Sequence, residues 1–235
     1  MEKYVLIHVP HSSLYIPSLY RDKCLISSDK LDEENIFMCD YLVDKLIDGG
    51  NLVVFPYSRL YCDVERFKDD SEVMNKYGMG YIYTKTSLGE DMFNPSLEYR
   101  ENITKIYDSH HDRLDRMVTD ILSEYNKCII IDLHSYSDLI VKRLFDYDDN
   151  PDICLGIDED YYSEELINYL TRAFEGCGYS VKINYPYSGS LVPNKYYGYK
   201  NTNIVSIMIE INKRIYLNDF DNFKSNLNKI LKKVK

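Results

Sequence analysis

The stretch Cys128-Ile-Ile-Ile-Asp-Leu-His-Ser135 constrains the fold more than any other part of this chain. Four consecutive apolar residues, Cys128 to Ile131, read as a central strand buried on both faces. The apolar run gives way to Asp132 and His134 where the strand ends. Two other stretches repeat the pattern. Tyr4-Val-Leu-Ile-His-Val-Pro leads into His11, and Ile204-Val-Ser-Ile-Met-Ile leads into Glu210. Three hydrophobic strands thus each deliver a side chain able to hold a metal or carry a proton. In open α/β sheets the ligand crevice lies outside the carboxyl ends of the strands. Two histidines and a carboxylate converging there are the ingredients of a zinc hydrolase.

Size and charge narrow the alternatives. A chain of 235 residues can bury a sizeable core as one domain, and the absence of repeats, linkers and low-complexity tracts favours a single domain over 1–235. The net charge of −10 disfavours a nucleic-acid or anionic-membrane partner. No terminus has the pattern of a signal peptide, and no apolar run is long enough to span a bilayer. The six cysteines lie without CxxC spacing, several inside apolar strands, as expected of small hydrophobes in a reducing cytoplasm. A small-molecule substrate is the partner this leaves; the oligomeric state stays open. The 24 tyrosines carry no functional reading.

Taken in order, residues 3–9 form a strand that Pro10 breaks, so His11 emerges past its end while His8 packs within it. Residues 32–48 read as a helix, with Ile36, Val43 and Ile47 on one face and Asp40 among them. A carboxylate in that setting is a boundary residue, an ion-pair partner or a zinc ligand presented by the helix. A strand over 51–56 leads to Arg59, Asp63, Glu65 and Arg66. That run is either a solvated surface or an anion clamp, because arginine offers a planar fork for carboxylates. Residues 68–94 show no periodicity and read as a long loop, a candidate lid. A helix from about Pro95 to Leu122 carries Ile103, Ile106, His110, Leu114 and Ile121 on one stripe, with His111 at the margin, in reach of a pocket. A strand at 152–157, a helix over 163–174 capped by Ser163, a strand at 179–184 and a turn at 186–190 follow. The strand from Ile204 and a basic amphipathic helix, roughly 219–233, close the chain.

These residues in this order resemble the N-formylglutamate amidohydrolase family, which is similar in fold to zinc carboxypeptidases and aspartoacylases. The matching stretches are Val9-Pro-His11-Ser12 with Pro17; Ser58-Arg59 with Asp63-x-x-Arg66; Asp132-x-His134-Ser135; Gly178-Tyr with Asn184-x-Pro186-Tyr187-x-Gly189; and Glu210-Ile-Asn. They span almost the whole chain. The resemblance implies an α/β fold with a mixed, mostly parallel central sheet and helices on both faces. It also implies one zinc ion (Zn2+), held by His11 and His134 with Asp40 as the third ligand. Asp63 then orients His11 from the second shell, with direct ligation by Asp63 as the alternative. Glu210 resembles the general base, Arg59 the residue that stabilises the oxyanion, and Arg66 the one that grips a substrate carboxylate, with Gly189 in the substrate-binding turn. The activity implied is hydrolysis of the linear amide of a small N-acyl amino acid such as N-formylglutamate. The alternatives are the same machinery acting on another N-acyl amino acid or a peptide, or a binding protein that kept the fold without turnover. Two departures bear on the substrate rather than the zinc chemistry: Glu65 stands where the family usually has Asn, and Ser13 where it commonly has Gly.

Overall fold

Short runs rich in Val, Ile and Leu form the strands of the computed structural model, which describes residues 1–146, 148–199 and 203–235. In chain order the elements are β1 (Val5–Val9), α1 (Ser18–Arg21), α2 (Ser28–Met38), β2 (Asn51–Val54), α3 (Leu97–Tyr125), β3 (Cys128–Tyr136) and α4 (Asp138–Phe145). There follow β4 (Ile153–Ile157), α5 (Glu164–Glu175), β5 (Val181–Ile183), β6 (Ile204–Asn212), α6 (Lys213–Asn218) and α7 (Phe220–Leu231). The strands form one sheet in the order β2-β1-β3-β6-β4-β5. Strands β1, β3 and β6 are parallel; β4 runs antiparallel to β6 and parallel to β5. The mixed, mostly parallel α/β fold expected from the sequence is the one that forms.

The chain divides into two compact units. The first comprises Met1–Val9, Leu42–Val53 and Leu114–Lys235; the second comprises Pro10–Tyr41 and Val54–Arg113. In the first unit the strand register decides which side chains share a face. His8 pairs with Asp132, Asp132 with Met208, and His134 with Glu210. Laterally paired residues point the same way, as do residues two apart along a strand. His8, Asp132, His134 and Glu210 therefore lie on one face, near the carboxyl ends of β1, β3 and β6. The intervening Ile7, Ile131, Leu133, Ile207 and Ile209 point to the other face. Further back along the first face the residues are mostly apolar, Ser206 excepted. Leu6, Cys128, Ile130 and Ile204 pack with Leu114, Val118 and Ile121 from the C-terminal half of α3, together with Tyr161 and Val192. Burying each large aliphatic side chain there contributes about 1.5–3 kcal/mol.

The second unit has α1, α2, the N-terminal half of α3 and long connecting loops. Here tyrosines do much of the packing. Tyr20 is fully buried, 4.1 Å between ring centroids from Phe93 and 5.3 Å from Tyr61, and its hydroxyl donates to the Leu60 carbonyl at 3.0 Å. Each ring buries an apolar body while its hydroxyl satisfies a loop carbonyl, which suits a unit with little regular backbone pairing.

The structure departs from several sequence expectations. The helix read over 32–48 is shorter. Helix α2 starts at Ser28, capped by Ser27, and stops at Met38 because Cys39 turns extended at ψ 157°. Leu42 then adopts a left-handed φ of 69°, and Val43–Leu46 is a separate 3-10 turn. Asp40 therefore follows the helix rather than lying on its face, and Ile36 is exposed. Helices α4 and α6 were not anticipated, whereas α7 matches the helix read over roughly 219–233. His111, expected at the margin of a helix stripe, is buried, with its Nε2 donating to the Val64 carbonyl at 2.7 Å. His110 packs edge-on against Phe55 at 5.0 Å.

Candidate active site

In the second unit the candidate residues gather around the carboxylate of Asp63. Its Oδ1 accepts from His11 Nε2 at 2.9 Å and from the Glu65 backbone N–H at 3.1 Å. Its Oδ2 accepts from Arg59 Nε at 3.0 Å, Arg59 Nη2 at 2.7 Å and the Tyr83 hydroxyl at 3.3 Å. Burial alone would push the Asp63 carboxyl up. The charges of Arg59, His11 and Arg66 more than offset this and hold it well below the usual carboxylate range. Burial pushes the Tyr83 hydroxyl up to about 12, so it is neutral and able to donate.

His11 is fixed from both sides. With Nε2 engaged by Asp63, its Nδ1 faces Asp40 Oδ2 at 3.7 Å and Glu65 Oε2 at 3.8 Å. Asp40 is buried, and its backbone N–H donates to the His11 carbonyl at 2.8 Å, so the two residues are tied together locally. The distance matters for metal chemistry. Zinc bonds of about 2.0–2.2 Å in tetrahedral geometry put neighbouring ligand atoms roughly 3.3–3.6 Å apart. The 3.7 Å between His11 Nδ1 and Asp40 Oδ2 is close to that spacing, and the bond from Nε2 to Asp63 fixes the ring that carries Nδ1. Arg59 closes its fork on Asp63 and also directs Nη1 to the Met38 carbonyl at 3.4 Å. The neighbouring Arg66 brings Nε to 3.8 Å from Asp63 Oδ2.

In the first unit β3 supplies a second histidine–carboxylate pair. Asp132 Oδ1 accepts from His8 Nδ1 at 2.9 Å, and Asp132 Oδ2 lies 3.2 Å from His134 Nε2. Burial works against the Asp132 charge, but His134 and His8 outweigh it and the carboxyl is held far below its ordinary value. His8, which reads from sequence as simple strand packing, is thus the far end of a polar chain that reaches His134. Glu210 is buried beside His134 on β6, with Cys154 of β4 on its other side. Burial, opposed by the bond to the Tyr187 carbonyl and aided by the charge of Glu210, pushes the Cys154 thiol up to about 12, so it is a neutral neighbour. The turn at 186–190 is anchored over this face. Ser190 donates to Ser206 Oγ at 2.6 Å, Leu191 N–H to Asp132 Oδ2 at 3.3 Å, and Cys154 to the Tyr187 carbonyl at 3.2 Å. Gly189 adopts φ +86°, and its carbonyl sits so close to Gly156 that a Cβ there would lie 2.4 Å from it.

Sequence reasoning named Asp132 at the strand end without giving it a partner, and it missed Tyr83. The link from Asp132 to His134 was visible in principle, because an acid two positions before His134 on a strand must share its face. Tyr83 lies in an aperiodic loop and left no signal. Among the described residues there are buried groups of His and Asp side chains that could hold a metal ion. No helix among them is long and apolar enough to cross a membrane.

The α/β fold thus carries buried histidine–carboxylate pairs, side chains able to hold a metal ion or move a proton. The family model for N-formylglutamate amidohydrolase matches residues 4–217, and the chain belongs to that family. Its fold is similar to the crystal structure of N-formylglutamate amidohydrolase from Ralstonia eutropha JMP134. The TM-score there is 0.82 at 19% identity, covering 98% of this chain and 94% of that one. It is also similar to that of the gene product Atu2144 from Agrobacterium tumefaciens, with a TM-score of 0.72 at 20% identity, covering 99% and 90%. A search of curated proteins finds no match.

Proposed function

We propose that this amidohydrolase is zinc-dependent and cleaves the linear amide bond of a small N-acyl amino acid, N-formylglutamate or a close analogue, releasing formate and the amino acid. The observation that carries this reading is the His11 ring, bonded to Asp63 through Nε2 and facing Asp40 with Nδ1. In the proposal His11 and Asp40 hold the ion together with His134, and Asp63 and Asp132 fix the two rings. When bound, zinc supplies a Lewis acid at the scissile carbonyl and lowers the pKa of water toward about 7.

The chain's own residues do the rest. Glu210 takes the proton of the attacking water and passes it to the departing nitrogen. Arg59 offers five N–H donors, of which Asp63 and the Met38 carbonyl engage three, leaving donors for the developing oxyanion. Arg66 binds the α-carboxylate that every N-acyl amino acid carries, and the Gly189 turn lines the substrate side. The thiol state of all six cysteines accords with action in the cytoplasm.

Metal analysis of the purified protein, paired with hydrolysis assays on N-formyl and N-acetyl amino acids before and after chelation, tests the reading. One equivalent of zinc and chelator-sensitive release of formate are expected. Turnover that survives complete removal of metal would overturn it.

A further inference from the structure

Asn35 stands in the second unit where an apolar residue would be expected. The buried positions of α2 are Leu31, Asn35 and Met38, one stripe with an amide at its middle. Asparagine is a poor residue for a helix interior, and a buried amide is costly unless it is bonded. Here both ends are bonded, and the bonds reach beyond the helix. Nδ2 donates to the carbonyl of Leu14, on the loop that carries His11, at 2.8 Å. Oδ1 accepts at 2.6 Å from the hydroxyl of Ser58, the residue before Arg59. It also accepts at 3.2 Å from the thiol of Cys39, the residue before Asp40. Burial pushes that thiol up, so it is a neutral donor. Ser58 Oγ takes the Leu60 N–H at 3.0 Å, which leaves its own proton for Asn35.

We infer that Asn35 is a positioning residue, whose carboxamide sets the spacing between the segments carrying His11, Asp40 and Arg59. The roles of those three residues rest on the hydrolase reading; the bonds that place them do not. A leucine at position 35 would complete the apolar stripe, but it would release the Leu14 carbonyl and the Ser58 hydroxyl together and let the three segments shift. A displacement of about 1 Å remote from the chemistry can cost about a hundredfold in rate. Losing a group that holds a ligating side chain in place weakens zinc binding by about 10- to 100-fold.

Asn35→Leu removes all three bonds, and Ser58→Ala removes only the one toward Arg59. Well below its melting transition, Asn35→Leu is expected to lower kcat by about tenfold or more while KM stays within about twofold. Zinc affinity, measured against a competing chelator, should fall by about tenfold in the same variant. Ser58→Ala should lower kcat and leave zinc affinity nearly unchanged, because the bonds to Leu14 and Cys39 remain. Wild-type kcat and zinc affinity in Asn35→Leu would overturn the inference. If that variant does not fold, Ser58→Ala decides, and wild-type kcat there is the refuting result. Nitrogen spectra of the histidine rings, recorded on the protein as purified, give a readout apart from turnover. The His11 signals, assigned by their loss in His11→Gln, should move in Asn35→Leu while those of His110 and His111 stay. Fixed His11 signals, or equal movement of all three, refute the positioning role. If neither zinc nor hydrolysis is found, the hydrolase reading fails separately and the ring spectra still decide the role of Asn35.

Discussion

The first unit places its polar residues by strand register, and the second places them by side-chain hydrogen bonds in loops. In the first, His134 and Glu210 are neighbours because β3 and β6 pair in parallel, and neither needs the other's charge to stay there. In the second, His11, Arg59, Glu65 and Tyr83 converge because each bonds to one buried carboxylate, Asp63. The two ways of building respond differently to mutation. A residue positioned by register can be changed chemically without disturbing its surroundings. A residue positioned by a shared carboxylate cannot.

The largest effect should come from Glu210→Gln. Loss of a general base costs about a hundred- to ten-thousandfold in kcat, while zinc content and melting temperature should hardly move. A retained rate would remove Glu210 from the proposed chemistry; a collapsed melting temperature would break the contrast between units. Next is Arg59→Met, which leaves Asp63 buried without its strongest partner. Denaturant titration should show a loss of about 3–5 kcal/mol, the usual cost of orphaning a buried charge. A loss below about 1 kcal/mol would mean that Tyr83 and His11 alone can hold Asp63. Asp63→Asn and Asp132→Asn then compare the units directly. Each should weaken zinc binding about 10- to 100-fold in competition with a chelator, but only Asp63→Asn should also loosen the fold.

The smallest effect belongs to Arg214, which bonds Asp138 and Asp152 through Nη1 and Nη2 at the edge of the first unit. Burial raises both carboxyls, but Arg214 and Asn212 at Asp138, and the Ser180 N–H followed by Arg214 at Asp152, reverse this and leave each below its ordinary value. A carboxyl depressed in the folded state contributes stability above its unfolded pKa of about 3.9 and loses it as pH falls through the folded value. Arg214→Ala should therefore cost up to about 1 kcal/mol at pH 6 and nothing near pH 2. An equal cost at both pH values would make Arg214 a packing residue instead.

The contrast also explains what was legible in the sequence. The apolar runs of β1, β3 and β6 announce buried strands, and their ends announce His134 and Glu210. The cap at Ser163 is visible as well, its hydroxyl accepting from Leu166 N–H. Asp40 was legible as a carboxylate beside apolar residues but not in its true setting. The helix that precedes it ends through a change in ψ at Cys39, which no capping residue marks. Helix α4 was overlooked because its eight residues are too few for a periodic stripe, although Ser137 caps it. Nothing in residues 68–94 foretold that Tyr83 reaches Asp63, because such a contact depends on the path of a loop rather than on any local pattern.

The strict alternation along β3 and β6 sets a rule for how this protein can diverge. An exchange for a residue of similar size and polarity leaves the phase of these buried strands intact. A single deletion between Cys128 and His134 is different, because it shifts the phase of everything beyond it and turns His134 toward the isoleucine side. Lineages descended from such a chain should accordingly vary in the lengths of their connections while keeping the residue count of these two strands.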